Sequence, residues 1–425
     1  MDDTTDLRTH ARALFDRAVA QADPTAALDR FLTHNSPLPR PTRPAGQTLL
    51  IAIGKAAPAM MRAALRHVTG PHTALCVTHH ENTAPCPGAT VLHAGHPVPD
   101  AAGLAAGQAV MALLDGARAG DQVIALISGG GSALLPAPAP GLNLDDKIAL
   151  NRALLASGLD IVAMNMIRQQ VSRLKGGGML RLAAPARVTG YILSDVIGDD
   201  LNAIASGPTT APLGTRVQAG EALKKAGAWD SLTAPLRAHL SAPAPDVPRL
   251  QATNHLIGSN GQSLRAAAKA AKEGFATRIV SDCLVGDVAD AARAIHAAAA
   301  AIAADAPPTA LLWGGETTVR LTGKGRGGRN QELALRVAAL AHGAPLHRRW
   351  VFLSGGTDGR DGPTDAAGGV VDAQTWALIR DAGDLLANND SHTALQHADA
   401  LLITGATGTN VADIQILLSQ PLQTA

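Results

Sequence analysis

The chain has 425 residues, 46% of them hydrophobic and 17% charged, which excludes a disordered segment or a single small module and makes two domains the default. With 36 Lys and Arg against 35 Asp and Glu, the formal net charge is +1, so no basic surplus exists for nucleic acid or an anionic membrane. Four Trp, four Phe and one Tyr are too few for base-stacking platforms, leaving Ala, Leu, Val and Ile to fill the interior.

Residues 7–32 carry Leu7, Leu14, Val19, Ala27, Leu28 and Phe31 at helical spacing and predict a helical hairpin, ended by a proline-rich connector from Pro37 to Pro44. From there one pattern recurs: a short apolar run without alternation, a cluster of Gly, Ser, Thr or Asp, then a helix-like stretch. It appears as TLLIAIGKAAP, QVIALISGGGSALL, VTGYILSDVIGDD, HLIGSNGQSL, ALLWGGETTV, WVFLSGGTDGRDG and ALLITGATGTN. Strands of this kind are covered on both faces, which predicts an α/β protein, doubly wound, with parallel or mostly parallel sheets flanked by helices. The proline-interrupted SAPAPDVP, residues 241–248, is the expected linker and divides the chain into 1–245 and 246–425.

Ligands of open parallel sheets bind beyond the carboxyl ends of the strands, where the polar clusters stand. Lys55 follows TLLIAI in a tight turn at a helix start, where an ammonium and backbone N–H groups can face one anion; the alternative is a solvated cap. Ser128, Gly129, Gly130, Gly131 and Ser132 permit the backbone nest that phosphate requires, or form a merely flexible turn. The run Gly323 to Asn330 formally matches GxGxxG, yet no acidic residue ends a second strand about 20 residues on, and Lys324, Arg326 and Arg329 make it read as a phosphate clamp. Arg329 opens the amphipathic NQELALRVAALA, and its planar guanidinium suits phosphate or carboxylate.

The strand WVFLS ends in Ser354, Gly355, Gly356, Thr357 and Asp358, with Asp361 and Asp365 beyond, while LSDVIGDD supplies Asp195, Asp199 and Asp200. Such loops suit magnesium, which takes one or two carboxylates plus phosphate oxygens and water; ordinary turns use the same residues. His79, His80, His93 and His96 cluster near Cys76 and Cys86 without a zinc spacing, and GHPVPD, residues 95–100, reads as a rigid loop on the rim of a cleft. Three cysteines without a CxxC pair, and a polar acidic start without a signal-peptide pattern, predict a soluble cytoplasmic protein. Neither a Walker A pattern nor a GxSxG elbow occurs.

The strings GKAAPAM, GHPVPD, SGGGSALL, NMIRQQVSRLKGG, LSDVIGDDLNAIASGPT, GGETTV, GKGRGGRNQELAL, SGGTDGRDGPTDAAG, NNDSH and LLITGATGTNV, in order from about residue 8 to 418, resemble the class II glycerate 2-kinases. The resemblance implies a Rossmann-like N-terminal domain and a smaller C-terminal α/β domain containing the MOFRL region, about 308–418, with the active site in the cleft between them. It implies ATP-dependent transfer of the γ-phosphoryl to the C2 hydroxyl of D-glycerate, giving 2-phosphoglycerate and ADP, and links such proteins to tartrate degradation. Many relatives carry the label hydroxypyruvate reductase.

Carried over, the family's essential lysine falls on Lys55, its essential arginine on Arg329 and the SGGTDG aspartate on Asp358. Together with the residue chemistry, this assigns ATP phosphates to Ser128–Ser132, Lys324, Arg326, Gly355 and Gly356, and Mg2+ to Asp195, Glu316 and Asp358. Arg168 or Arg173 would grip the glycerate carboxylate. Lys55 and Arg329 both read as loop residues, so their replacement is expected to spare the fold. The expected partners are D-glycerate and ATP, with neither nucleic acid nor membrane, and a homodimer is compatible with the sequence. The alternatives are an NAD(P)H-dependent hydroxypyruvate reductase and a nucleotide or small-anion sensor without turnover.

Overall fold

The apolar runs TLLIAI and QVIALI form strands buried at every position, as their lack of alternation requires. A computed structural model describes residues 4–244 and 250–422, and the chain divides into two units, Pro24–Ile257 and Met1–Asp23 with Gly258–Ala425.

In the first unit, β1 (Thr48–Ile53), β2 (His72–His79), β3 (Thr90–Ala94), β4 (Gln122–Ile127), β5 (Arg187–Leu193) and β6 (Thr253–Gly258) form one sheet in the order β3-β2-β1-β4-β5-β6. The pairings from β3 through β5 are parallel, with Ile53 opposite both Val77 and Ile127. This is the Rossmann order, and the chain runs outward from β1 to β2 and β3 before returning to β4, so β1 and β4 flank the topological switch point. Leu49, Ile51, Ile53, Val123 and Ile127 pack there with Val110 and Leu114 of the helix Ala101–Asp115. Each such side chain contributes about 1.5–3 kcal/mol on burial. A separate helical layer, Leu144–Ala156, Ile161–Gln170, Arg216–Lys225 and Ala234–Ser241, shares its own small core around Leu150, Leu154, Ile167, Leu223 and Leu236. Capping boxes, Asn143 with Asp146 and Thr215 with Gln218, fix two of its helix starts.

In the second unit, β7 (Ala276–Asp287), β8 (Thr309–Thr318), β9 (Arg349–Gly356), β10 (Gly368–Asp372), β11 (Leu401–Leu402) and β12 (Asp413–Gln420) form a sheet in the order β11-β10-β9-β12-β8-β7. The helices Thr5–Gln21 and Asn260–Ala271 pack on one face through Leu7, Ala11, Phe15, Leu264 and Ala267. Val288–Ala300 and Arg329–Gly343 contribute to the other, where Ile295, Leu333 and Val337 surround Trp350 and Phe352.

The α/β architecture agrees with the sequence reading, but this second sheet is mixed: β7–β8 is parallel and the other pairings are antiparallel. Parallel neighbours need a crossover, usually a helix. The helix Val288–Ala300 supplies one between β7 and β8, and Arg329–Gly343 another between β8 and β9, but β12 inserts between those two strands and runs against both. β9 and β10 are joined by residues 357–367 without a helix, which leaves them antiparallel.

The division of the chain also departs from the expected 1–245 and 246–425. The two helices anticipated over residues 7–32 form, yet they do not make a hairpin of one domain: the first buries Leu14 and Phe15 in the core of the second unit, while the second packs on the helix Ala57–His67 of the first. The unit boundary falls at the end of β6, between Ile257 and Gly258, and positions 245–248 of the expected linker lie outside the described residues. Among the described residues no helix is long and apolar enough to cross a membrane.

Candidate active site

At the switch point of the first unit the ends of β1 and β4 are tied together. Ser128 donates its N–H to Ile53 O at 2.9 Å, Lys55 donates its N–H to Gly129 O at 2.9 Å, and Ala56 N–H reaches Ser128 Oγ at 3.1 Å. Gly54 is required: its φ is 125°, and a Cβ there would stand 2.2 Å from Ser128 Oγ. The turn delivers Lys55 to the start of the helix Ala57–His67, as expected.

The glycine loop brings the other groups to this lysine. A Cβ on Gly129 would lie 2.0 Å from Asp195 Oδ2, so the absence of a side chain lets the carboxylate rest on the loop. Gly130, at φ 83°, faces His96 and the Lys55 stem. Burial raises the Asp195 carboxyl, opposed by its own backbone hydrogen bond and the Lys55 charge. Burial, and then the Lys55 and His79 charges, push His96 down to about 4. Among the described residues, no acceptor meets the N–H groups of Gly129, Gly130, Gly131 or Ser132. They form the free donor run an anion needs.

In the second unit Arg329 opens the helix Arg329–Gly343 and therefore is not a loop residue. Its Nε and Nη2 donate to Asp413 Oδ2 and Oδ1 at 2.6 and 3.0 Å, and its Nη1 stands 3.0 Å from Glu316 Oε1. Burial works against the guanidinium charge, but the Asp413 hydrogen bonds and the charges of Asp413, Glu316 and Asp361 hold it protonated beyond the usual arginine range. Asp358 lies in the turn after β9, accepts the Arg360 N–H at 3.1 Å, and adds negative charge beside Asp413. Asp361 caps the Arg329 helix from outside, with Asn330 N–H on Oδ1 at 3.1 Å and Gln331 N–H on Oδ2 at 2.8 Å. Burial pushes Asp361 up to about 6, against those two backbone bonds.

One expectation is corrected here. Gly355 and Gly356 are not a phosphate nest: they are the last residues of β9, paired with Ile414 and Asp413 of β12, and Gly356 N–H donates to Ala367 O. Gly355 is glycine because a Cβ would press on Leu402 and the Phe15 ring, at 2.7 and 2.8 Å. The loop from Gly323 to Gly328, expected as a clamp of cations, keeps its first backbone donors within the protein. Its Gly323, Lys324, Gly325 and Arg326 N–H groups donate to Asn389 Oδ1, Asn388 Oδ1, Asn388 O and Asp390 Oδ1, so the NNDSH segment has taken the donors a phosphate would use. The Lys324 and Arg326 side chains are exposed above it.

Asp413 is the participant that residue patterns did not single out, while His96 reads in the sequence only as one of a histidine cluster and as part of the GHPVPD rim loop. Asp413 had a signal, an acidic residue opening the mostly apolar strand segment DIQILL, and it is fully buried. For divalent metal, no group of three His, Cys, Asp or Glu side chains forms a cage among the described residues. Separate carboxylates such as Asp195 and Asp358 fit magnesium, which completes its shell with water and phosphate oxygens. Glu316 already faces Arg329.

A parallel Rossmann-order sheet with a lysine turn and a free N–H run at its switch point is the architecture of a nucleotide- or phosphate-handling α/β protein. Residues 10–241 match the family described as a domain of unknown function, DUF4147, and residues 309–413 match the MOFRL family. The chain is 38% identical to the D-glycerate 2-kinase of Thermotoga maritima over 413 residues, 94% of this chain and 93% of that one. It is also 38% identical to a putative hydroxypyruvate reductase of Agrobacterium vitis over 424 residues, 96% and 93% of the two chains. The crystal structure of the Thermotoga maritima glycerate kinase superposes with a TM-score of 0.88 at 35% identity, covering 97% of this chain and 99% of that one. The chain belongs to this MOFRL-containing glycerate 2-kinase family.

Proposed function

We propose that the chain is a cytoplasmic ATP-dependent D-glycerate 2-kinase that phosphorylates the C2 hydroxyl to give 2-phosphoglycerate and ADP. The observation that carries this reading is the near full-length likeness to a D-glycerate 2-kinase, in sequence and in fold. The free N–H groups of Gly129–Ser132 beside Lys55 support it, because phosphoryl transfer asks the protein mainly to position reactants and neutralise charge.

In this reading the N–H run holds phosphate oxygens and Lys55 offsets charge on the transferred group. Arg329, held in orientation by Asp413, adds a second cation, and the exposed Lys324 and Arg326 attract nucleotide by charge alone. A magnesium ion, when bound with ATP through Asp195 or Asp358, would neutralise phosphate charge. Asp195 or Asp358 would accept the hydroxyl proton. The reductase reading is disfavoured, because the formal GxGxxG has its backbone donors engaged by Asn388, Asn389 and Asp390.

The deciding experiment incubates protein with D-glycerate, ATP and magnesium and identifies the product by phosphorus NMR. 2-Phosphoglycerate with stoichiometric ADP supports the proposal. NADH oxidation with hydroxypyruvate and no ATP use would replace it with the reductase. Lys55→Ala is expected to lower kcat about a hundredfold, the scale for removing one transition-state charge stabiliser.

A further inference from the structure

Beside the glycine loop of the first unit lies a cavity of about 170 Å³ whose polar lining is Ser132, Lys147, Asn151, Arg168 and Lys175, with Pro97 and Pro99 also on its wall. Three of these five side chains are cationic, and they come from three segments: Lys147 from the helix Leu144–Ala156, Arg168 from Ile161–Gln170, and Lys175 from the turn that follows. Among the described residues no carboxylate ion-pairs with any of them.

Lys175 donates to Ser132 O and Oγ at 3.0 and 2.5 Å, and Arg168 donates to Asn151 Oδ1 at 2.7 Å and Asn165 Oδ1 at 3.4 Å. Lys147 is only 9% exposed and lines the cavity, and its ammonium has no hydrogen-bond partner among the described residues. Its neighbour Asp146 is turned away, accepting from Asn143 N–H and Thr233 Oγ1. Buried charges are normally paired, so three converging cations without a counter-charge describe a site preorganised for an anion that is not part of the chain. Burial and the neighbouring Arg168 push Lys147 down to about 8, and burial with the charges of Lys147 and Arg168 lowers Lys175 well below the ordinary lysine range. A bound anion would reverse both shifts.

The geometry points to Lys147, Arg168 and Lys175 as the pocket for the carboxylate of a small 2-hydroxy acid. The inference rests on the kinase reading for the identity of the acid, but the anion site stands on its own geometry. A carboxylate is favoured over a nucleotide phosphate because the cavity is small and partly walled by Pro97, Pro99, Ala133 and Leu150. Its edge at Ser132 is also the last member of the free N–H run. An acid whose reacting hydroxyl is on the carbon next to the carboxylate spans these adjoining features, whereas one with its only hydroxyl further along the chain places that oxygen elsewhere. The pocket thereby selects both charge and position of the hydroxyl.

The test uses calorimetry on the full chain with D-glycerate, inorganic phosphate and a non-hydrolysable ATP analogue as separate probes, for wild type, Lys147→Met and Lys175→Met. Glycerate affinity is expected to fall about 10- to 100-fold in each variant, the scale for one charge-assisted hydrogen bond, with the analogue unaffected in Lys147→Met, which touches no member of the N–H run. Lys147→Met keeps volume and removes an uncompensated buried charge, so its thermal midpoint should be unchanged or higher, which separates lost binding from lost folding. Unaltered glycerate affinity in a folded Lys147→Met protein overturns the inference and leaves the kinase reading standing. Variants that weaken the ATP analogue and not glycerate also overturn it, by assigning the cations to the nucleotide. If wild type neither phosphorylates nor binds glycerate, yet loses phosphate binding on Lys147→Met, the kinase reading fails and the anion site remains.

Discussion

Arg329 and Asp413 form a two-bond ion pair at 2.6 and 3.0 Å in which the carboxylate is fully buried and the guanidinium about one-third exposed. The pair joins the first residue of a helix to the first residue of β12, so Arg329 holds the fold as well as a charge. Arg329→Ala leaves Asp413 buried without its counter-ion, and breaking such a pair costs about 3–5 kcal/mol. Contrary to the expectation for a loop residue, the variant should therefore unfold earlier than wild type as well as lose activity. Burial already raises the Asp413 carboxyl against the pull of Arg329, and losing the arginine raises it further. Its deficit should grow with pH, being smallest where Asp413 is protonated in both states. Thermal midpoints of Arg329→Ala and wild type from pH 4 to 8 decide the point, and a difference independent of pH would refute it.

Asp361 gives a second pH signature. Its folded value of about 6 lies above the ordinary 3.8, so the folded state binds the extra proton between those values. Stability from this group is fully present below about pH 4 and is lost as pH rises towards 6. That difference corresponds to about 3 kcal/mol as an order of magnitude, for a carboxyl that is almost completely buried. Asp361→Asn removes the titration, so the wild-type advantage in thermal midpoint should shrink between pH 4 and 6.5. An advantage that grows over that interval would mean the two backbone bonds from Asn330 and Gln331 outweigh burial.

The division between legible and hidden features follows from which interactions are local. TLLIAI and QVIALI announce themselves as strands because both faces are covered, and the Lys55 turn and Ser128–Ser132 stand directly at their ends. Strand order depends on pairings between distant segments, so the insertion of β12 between β8 and β9 left no mark in any single stretch. The glycines at 323 and 325 are explained by distant segments in the same way. A Cβ on Gly323 would stand 2.2 Å from Asn388 O, and one on Gly325 2.4 Å from the Asp390 Cβ. Glycine there permits a close approach of protein to protein, which in sequence looks the same as room for phosphate. Lys147 carries no sign in its own segment, because the cavity that it lines is shared with Arg168 of the helix Ile161–Gln170 and with Pro97.

His96 should remain neutral down to about pH 4 in the folded protein, because burial first, and then the charges of Lys55 and His79, disfavour the imidazolium. Its folded value lies below the ordinary 6.5, so this group contributes stability above pH 6.5 that is lost as pH falls towards 4. Lys55→Met removes one of the cations and should move the His96 titration upward while leaving it below 6.5, since burial persists. Nitrogen-correlated NMR of the imidazoles reads this directly. An unmoved His96 in Lys55→Met would show that the ammonium points away from it, and would also weaken the assignment of Lys55 to the Gly130 loop.

Asn389 separates scaffold from chemistry in the second unit. Its Oδ1 accepts from the Thr322 N–H and hydroxyl and from Gly323 N–H, and its Nδ2 donates to Arg320 O and to buried Glu332 Oε2 at 2.9 Å. Its own backbone is left-handed, at φ 54°, which asparagine tolerates better than most residues. Asn389→Ala removes all these bonds and strands Glu332 with Arg336 as its remaining partner, for a loss of about 2–4 kcal/mol. Asn389→Asp keeps the acceptors but sets a second carboxylate against Glu332, so repulsion raises the new group. That variant should be closest to wild type near pH 4 and fall behind as pH rises to 8, whereas Asn389→Ala should show a deficit nearly independent of pH. Parallel behaviour of the two variants in thermal melts would mean that the Nδ2 bond to Glu332, and not the cradle around Gly323, holds this loop in place.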